Sequence, residues 1–338
     1  VYDREDVFAS TIVSAPMSFK SKALVKPDGK ICSLKIDCTI QAGAYLTNSL
    51  DYLYAMGEKL SRIYDFPHIE FSGRAVCTNT PVSGSYRSWG SKDIAVPVEQ
   101  ILWKTSETLG LDLLQVHRRN ALKPYAKHRL NSGDIGDCRI DECFEIGAEH
   151  FGWQKRYEEC RAWNLSHKRV KKGIGMAGGA HVNGFYPDTE VANALLKLNE
   201  DGSVSANICL HDHGCGSITA FKKIIAEVLQ IPEDKIFINR PDTDYNLYDY
   251  GCYGSRTVYV IGRAVKNAAE KLLEDLRQKA VLLLNADVGD LIYESEFFKV
   301  MSSDKKLSLS DIAKLLQANN DDVHVIEKYK AVDNPTSS

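Results

Sequence analysis

Three loops of this chain concentrate residue types that handle anions or polarised oxygen atoms. The first, Thr78–Gly90 (TNTPVSGSYRSWG), places Arg87 between Tyr86 and Trp89 among turn formers, just ahead of a helical pattern. A guanidinium there can offer its planar fork of donors to a carbonyl or carboxylate of a small ligand. A surface arginine stacked on Tyr86 or Trp89 accounts for the same residues. The second loop, His211–Ser217 (HDHGCGS), lies between a strand pattern and a helix expected from Ile218. Gly214 and Gly216 let the backbone come close to a ligand, and free N–H groups at a helix start suit phosphate. An ordinary strand–helix turn with Ser217 as N-cap is the plainer alternative. The third, Tyr253-Gly254-Ser255-Arg256-Thr257, opens another helix after a turn at Gly251, with the same anion-binding potential and the same plain alternative.

Other combinations are weaker. His211, His213 and Cys215 alternate in a way that could hold zinc, yet no fourth ligand stands nearby. Asp242 and Asp244 read as a strand-end turn or as a metal or acid/base pair. Neither a phosphate-binding P-loop nor a complete Ser/His/Asp signature occurs, and no metal ligand is assigned.

The elements that must position these loops read as a mixed α/β (α+β) fold of two lobes, with mixed sheets and packed helices. The first 70 residues read mainly as strands, with apolar–polar alternation through Lys30–Gln41 after a Pro27-Asp28-Gly29 turn. A helix is expected from Val96 to Leu109, stopped by Gly110. The polar, irregular stretch 123–136 divides the chain into lobes at 1–125 and 137–338. Beyond it come strands near Val191–Leu198 and Val204–Leu210, then a helix from Ile218 to Leu229 with one apolar stripe. A short strand at Lys235–Asn239 and a helix from Arg256 to Arg277 follow. The last helix, Leu309–Ala318, opens with Ser308 and Asp311 at capping-box spacing. Both ends read as interior, with Val1-Tyr2 entering as if within a strand and Asn334–Ser338 stopping in a loop, so a piece of a longer protein is expected.

Composition sets the outer bounds. With 338 residues, 44% hydrophobic and 26% charged, the chain can build two ordinary cores. A net charge of −3 gives no electrostatic reason to expect nucleic acid or an anionic membrane as partner. No apolar run approaches a membrane span, and the charged opening Asp3-Arg4-Glu5-Asp6 is not a signal peptide. The nine cysteines form no CxxC pair, which argues against a zinc ribbon or a disulfide framework and for reduced thiols in the cytoplasm.

The order of the motifs carries more than any one of them. Asp3-Arg4-Glu5-Asp6, Gly43-Ala44-Tyr45, Thr78-Asn79 with Gly84–Gly90, Gly173-Ile174-Gly175 and Asp201-Gly202-Ser203-Val204 appear in sequence. Gly214–Gly216 with Thr219, Ala226-Glu227, Ile231-Pro232, Asp242-Thr243-Asp244, Gly254-Ser255-Arg256, Gly262 and Ala264-Val265 follow. Over nearly its whole length the chain resembles the molybdopterin-binding subunit of the molybdenum hydroxylases, the family of xanthine dehydrogenase and aldehyde oxidase. The resemblance implies a molybdenum–molybdopterin cofactor held between two lobes, mostly by loops. It also implies a small-molecule substrate, an N-heterocycle or aldehyde hydroxylated with oxygen from water, and iron–sulfur and FAD subunits or domains as partners.

Residue by residue, the resemblance makes Arg87 the substrate-facing arginine, in a loop matching the family's Phe-Arg-Gly-Phe-Gly. Tyr86, Gly214, Cys215, Gly216, Gly254, Ser255, Arg256 and Thr257 become the cofactor-binding set. Three departures stand out. The family's glycine-rich loop before Asp3 and its Gly-Glu base motif fall outside the chain. Cys215 replaces the glutamine of a Gly-Gln-Gly loop, and Ser88 and Trp89 replace glycine and phenylalanine. The expectation is therefore a catalytic parent whose isolated fragment is inactive and holds the cofactor poorly. A non-catalytic scaffold of the same fold is the rival.

Overall fold

The computed structural model describes residues 2–129, 135–181, 190–210, 212–239 and 241–331. Val1, His211 and Asn334–Ser338, each part of the expectations above, lie outside the described residues. The chain forms two compact units, Val1–His181 and Val182–Ser337.

The first unit begins with a helix, α1 (Arg4–Ser10), where the sequence suggests a strand. Asp3 and Asp6 form a reciprocal capping box there, which satisfies two end N–H groups and favours the helical turn. Strands β1 (Met17–Val25) and β2 (Ile31–Gly43) pair antiparallel across the Pro27-Asp28-Gly29 turn. The alternation in β2 buries Ile31, Leu34, Ile36, Cys38 and Ile40. Helix α2 (Ser49–Lys59), absent from the sequence expectation, carries the chain over to β3 (His68–Cys77), which pairs parallel with β2. Parallel neighbours require such a crossover. Helix α3 (Ser91–Leu109) starts earlier than expected and ends at left-handed Gly110, and α4 (Leu113–Asn120) is capped by Asp112. Two further helices missing from the expectation follow, α5 (Ile140–Phe151) and α6 (Trp153–Ser166).

The compact unit runs past the expected lobe boundary at 123–136, of which residues 130–134 lie outside the description. The physical reason is aromatic packing: the Phe144 ring on α5 stacks on Tyr64 at 6.4 Å and lies 5.0 Å from His117.

The second unit pairs β4 (Glu190–Leu198) with β5 (Val204–Ile208), crosses over through α7 (Ser217–Leu229), and adds the parallel β6 (Ile236–Ile238). A π-turn, Thr257–Ile261, then runs into α8 (Gly262–Leu284), which continues beyond the expected Arg277. A small meander of β7 (Leu291–Glu294), β8 (Phe297–Val300) and β9 (Lys306–Ser308) precedes α9 (Leu309–Ala318). Strand β10 (His324–Ala331) returns to the edge of the main sheet, giving the order β10-β4-β5-β6. Ala192, Ala194, Leu196, Val204, Ala206 and Ile208 of the sheet are buried in one cluster with Phe221 and Ile225 of α7 and Val265, Ala268, Ala269 and Leu272 of α8. The small residues on α8 let its backbone sit close to the strands. The architecture is the mixed α+β arrangement expected.

Candidate functional site

The Arg87 loop is a left-handed run. Ser88, Trp89 and Gly90 have φ of +80°, +41° and +84°. Gly90 is obligatory, since a Cβ there would sit 2.6 Å from the Met56 side chain. Ser88 and Trp89 carry Cβ atoms in a region that costs L-residues roughly 1–2 kcal/mol each, so something else must hold them.

That support comes from behind the loop. The Trp89 N–H donates to the Tyr86 carbonyl at 3.0 Å, and the Ser91 N–H to the Ser88 carbonyl at 2.9 Å. The Trp89 ring meets Tyr52 edge-on at 5.0 Å, and the Tyr52 hydroxyl donates to Asp93 at 2.6 Å. The Lys59 ammonium donates to the Trp89 carbonyl. Burial pushes Lys59 down to about 8. Burial, then the neighbouring Asp93, pushes the Tyr52 hydroxyl upward.

Arg87 itself is exposed and makes no hydrogen bond, ion pair or ring contact among the described residues. It is not stacked on its aromatic neighbours: Trp89 packs on Tyr52, and the exposed Tyr86 ring has Lys92 5.9 Å away. A guanidinium held out on a strained loop, without a partner, is suited to meeting a ligand oxygen or nitrogen.

In the second unit, the loop before α7 is organised by a residue the sequence reading passed over. The Asp212 carboxylate accepts from the N–H groups of Gly214 (3.0 Å), Gly216 (3.2 Å) and Ile218 (3.2 Å). Those bonds, Ile218 first, hold its pKa below the usual carboxylate range. The helix N-cap is left-handed Gly216 and not Ser217, which is the first helical residue and is buried. The Asp-x-Gly spacing was the available signal, because aspartate commonly bonds the N–H two residues on. Cys215 is exposed, its thiol 3.5 Å from the Ser217 hydroxyl, and the Ser217 hydroxyl and N–H lower its pKa.

The third loop divides its residues between surface and core. Gly254 and Ser255 are left-handed, at φ +56° and +58°, and Ser255 is exposed. Arg256 is fully buried: it donates to Asp249 at 2.7 Å, to the Gly251 carbonyl at 2.7 Å and to the Val191 carbonyl at 2.8 Å. Its guanidinium ties the loop to β4, so any ligand contact from this segment falls to Gly254, Ser255 and Thr257. Thr257 opens the π-turn, a form that recurs at functional sites. The helices that follow the second and third loops pack together, Gly262 at the start of α8 facing Ile224 and Phe221 of α7.

Of the weaker candidates, Asp242 caps its own turn, accepting from the Asp244 N–H at 2.9 Å. Among the described residues no three metal-ligating side chains converge. The nine cysteines are all free thiols. No helix among the described residues is long and apolar enough to cross a membrane.

The donors of the Gly214–Ile218 loop fit an anionic group in kind, because three N–H groups already converge on a carboxylate. A Cβ placed at Gly214 or Gly216 meets no atom within 4 Å, so the loop face has open space beside it. Arg87 and these loops belong to separate compact units.

Comparison with known proteins places the chain in a family. Residues 1–121 and 147–338 each match a molybdopterin cofactor-binding domain. The xanthine dehydrogenase molybdenum-binding subunit of Escherichia coli O157:H7 is 28% identical over 85% of this chain, which covers 38% of that protein. The carbon monoxide dehydrogenase large chain of Hydrogenophaga pseudoflava is 26% identical over 93% of this chain and 41% of its own length. Among solved structures, quinoline 2-oxidoreductase from Pseudomonas putida 86 superposes with a TM-score of 0.80 at 20% identity, covering 98% of this chain and 45% of that one. This chain thus spans less than half the length of these relatives.

Proposed function

The chain belongs to the molybdopterin cofactor-binding family, and from that premise we propose that it is the part of a molybdenum hydroxylase that presents Arg87 to the substrate. The substrate class is an N-heterocycle or an aldehyde. The observation that carries the proposal is the exposed, unpartnered Arg87 on a loop strained into the left-handed region and braced from behind. When bound, the molybdenum held by molybdopterin would supply the two-electron redox chemistry. The chain's own groups supply binding and charge stabilisation: Arg87 faces the atom on which negative charge builds, and a charge-assisted bond there strengthens as the charge grows.

The loop around Gly214, Cys215 and Gly216, with Gly254, Ser255 and Thr257, would hold the anionic part of the cofactor once the Asp212 carboxylate gives up the Gly214 and Gly216 N–H groups to it. Arg256 holds the third loop in shape from inside. The family-model matches at 1–121 and 147–338 support cofactor-binding lobes at 1–125 and 137–338, a division by family pattern that differs from the compact units, which part after His181. Iron–sulfur and FAD subunits complete the proposed enzyme in the cytoplasm, and the 338-residue chain alone holds the cofactor weakly and is inactive.

A second reading has one observation in its favour. Cys215 stands where the family has glutamine, a thiol being a weak donor and acceptor, and Asp212 occupies three N–H groups of the same loop. A non-catalytic relative would show these features. Metal analysis of the full-length protein separates the two. Molybdenum near one per chain supports the enzyme, and a folded, molybdenum-free protein supports the scaffold.

A further inference from the structure

The geometry points to Lys59 as a positioning residue: its ammonium, buried behind the Arg87 loop, grips the Trp89 carbonyl and so sets the direction in which Arg87 projects. The functional meaning of this device rests on the role proposed for Arg87, but its physical existence does not.

Lys59 closes the last turn of α2 and is only 6% exposed. Among the described residues its one hydrogen-bond partner is the Trp89 carbonyl. For fold stability alone this is a poor arrangement, because a buried cation with a single neutral partner is costly and an apolar side chain of the same length serves better. The arrangement makes sense through what it holds. The Trp89 carbonyl follows directly on Arg87-Ser88 and lies inside the run of three left-handed residues. The other brace, Tyr52 against the Trp89 ring, fixes the side chain and leaves the peptide plane to Lys59.

The charged and titratable groups facing Lys59 are known. Glu58 and Arg62 flank it in sequence, Asp93 faces it from α3, and His181 from the end of the unit. Tyr64, Ser91 and Glu99 line the same cleft. Burial lowers the Lys59 pKa from its ordinary 10.5 to about 8, with Glu58 the largest opposing influence. Above about pH 8 the amine is neutral and its bond to Trp89 loses charge assistance, which makes it roughly half as strong. Fold stability moves the other way. Between about pH 8 and 10.5 the unfolded chain binds the proton that the folded chain has released, so this group's contribution to stability rises with pH. A loop that loosens while the fold firms is a signature that a purely structural lysine does not give.

The test is fluorine NMR of the whole chain carrying 5-fluorotryptophan, with the Trp89 resonance assigned by Trp89→Phe. The expected result is a Trp89 shift that titrates with a midpoint near pH 8 and vanishes in Lys59→Met. Glu58→Gln should lower the midpoint, because it removes the carboxylate that holds the proton on. His181, lowered from 6.5 by burial, titrates well below this window, and Tyr52 and Tyr64 are pushed above it. A Trp89 resonance that does not titrate, or that titrates unchanged in Lys59→Met, overturns the proposal. If Lys59→Met fails to fold, Glu58→Gln decides, and an unmoved midpoint rejects the assignment. Loss of the Arg87 role would leave this titration intact, so the two failures are separable.

Discussion

Arg87 and Arg256 each stand in a loop that leads into a helix, one in each compact unit, and their surroundings are opposite. Arg87 is exposed, unpartnered among the described residues, and followed by three residues in the left-handed region. Arg256 is fully buried, paired with an equally buried Asp249, and further bonded to two carbonyls. One guanidinium builds a loop from inside, and the other stands exposed at the surface. Residue type and loop position do not separate these roles; burial and partners do.

The largest expected effect breaks the buried member of the pair. Arg256→Ala leaves the Asp249 carboxylate buried with, among the described residues, no opposite charge and only the Gly251 N–H at 2.8 Å, and removing one partner of such a pair costs about 3–5 kcal/mol. Urea denaturation of the chain should show that loss, whereas Arg87→Ala should change stability by under about 0.5 kcal/mol. Replacing both partners, Arg256→Met with Asp249→Leu, should recover much of the loss. A single-variant loss below about 1 kcal/mol would mean that the pair is not what holds this loop.

The exposed member should show the converse, an effect on turnover and not on stability. In the full-length protein, Arg87→Ala should lower turnover by about 100- to 1000-fold, the typical cost of losing one preorganised donor. Molybdenum content should be unchanged. Arg87→Lys keeps the charge without the planar fork and should recover only part of the rate. A loss below about threefold, which is under 1 kcal/mol, would remove Arg87 from the reaction.

The same contrast explains how much was legible beforehand. Elements with local signals came through: the alternation in β2, the apolar stripe of α7, and α9, whose Ser308–Asp311 box forms as spaced. Helix α2 did not, because Asn48 gives it no side-chain cap and its aromatic-rich run reads as strand. Helix α6 buries only Trp153, so it has no apolar periodicity to detect. At the site, Gly214, Gly216 and Gly254 are left-handed, as glycines in tight loops often are. The work of Asp212, Lys59 and Arg256 depends on partners supplied by the folded chain, and spacing alone does not announce them.

Asp212 gives a smaller effect with a defined sign. Its pKa is depressed on folding by the N–H groups it receives, so the order it confers on the α7 start is present above the ordinary carboxylate value of 3.8. That order is lost as pH falls through the folded value. Amide exchange at Gly216 and Ile218, corrected for intrinsic pH dependence, should accelerate over that acid window, and Asp212→Ala should show the faster exchange at neutral pH. Equal protection in the variant would mean that the glycine geometry alone organises the loop.

The smallest effect tests the strain that distinguishes the Arg87 loop. Ser88 sits at φ +80°, so Ser88→Gly should relieve a Cβ penalty of roughly 1–2 kcal/mol. Two losses offset this gain. Glycine gives the unfolded chain more freedom, worth about 0.5–1 kcal/mol, and the Ser88 hydroxyl gives up a long bond from the Lys92 N–H at 3.4 Å. The Ser91 N–H to Ser88 carbonyl bond is untouched, because it uses the backbone. The net expectation is a stabilisation of about 0.5 kcal/mol, with the matched substitution Ser255→Gly, at φ +58°, giving a similar gain in the other unit. Stability should therefore not separate the two loops. Function should: releasing Ser88 lets the Arg87 backbone wander, so turnover in the full-length protein should fall despite the firmer fold, while Ser255→Gly leaves a loop still tied by Arg256. If Ser88→Gly destabilises the chain by more than about 0.5 kcal/mol, the left-handed turn is not strained, and the case that Lys59 and Tyr52 are needed to hold it weakens with it.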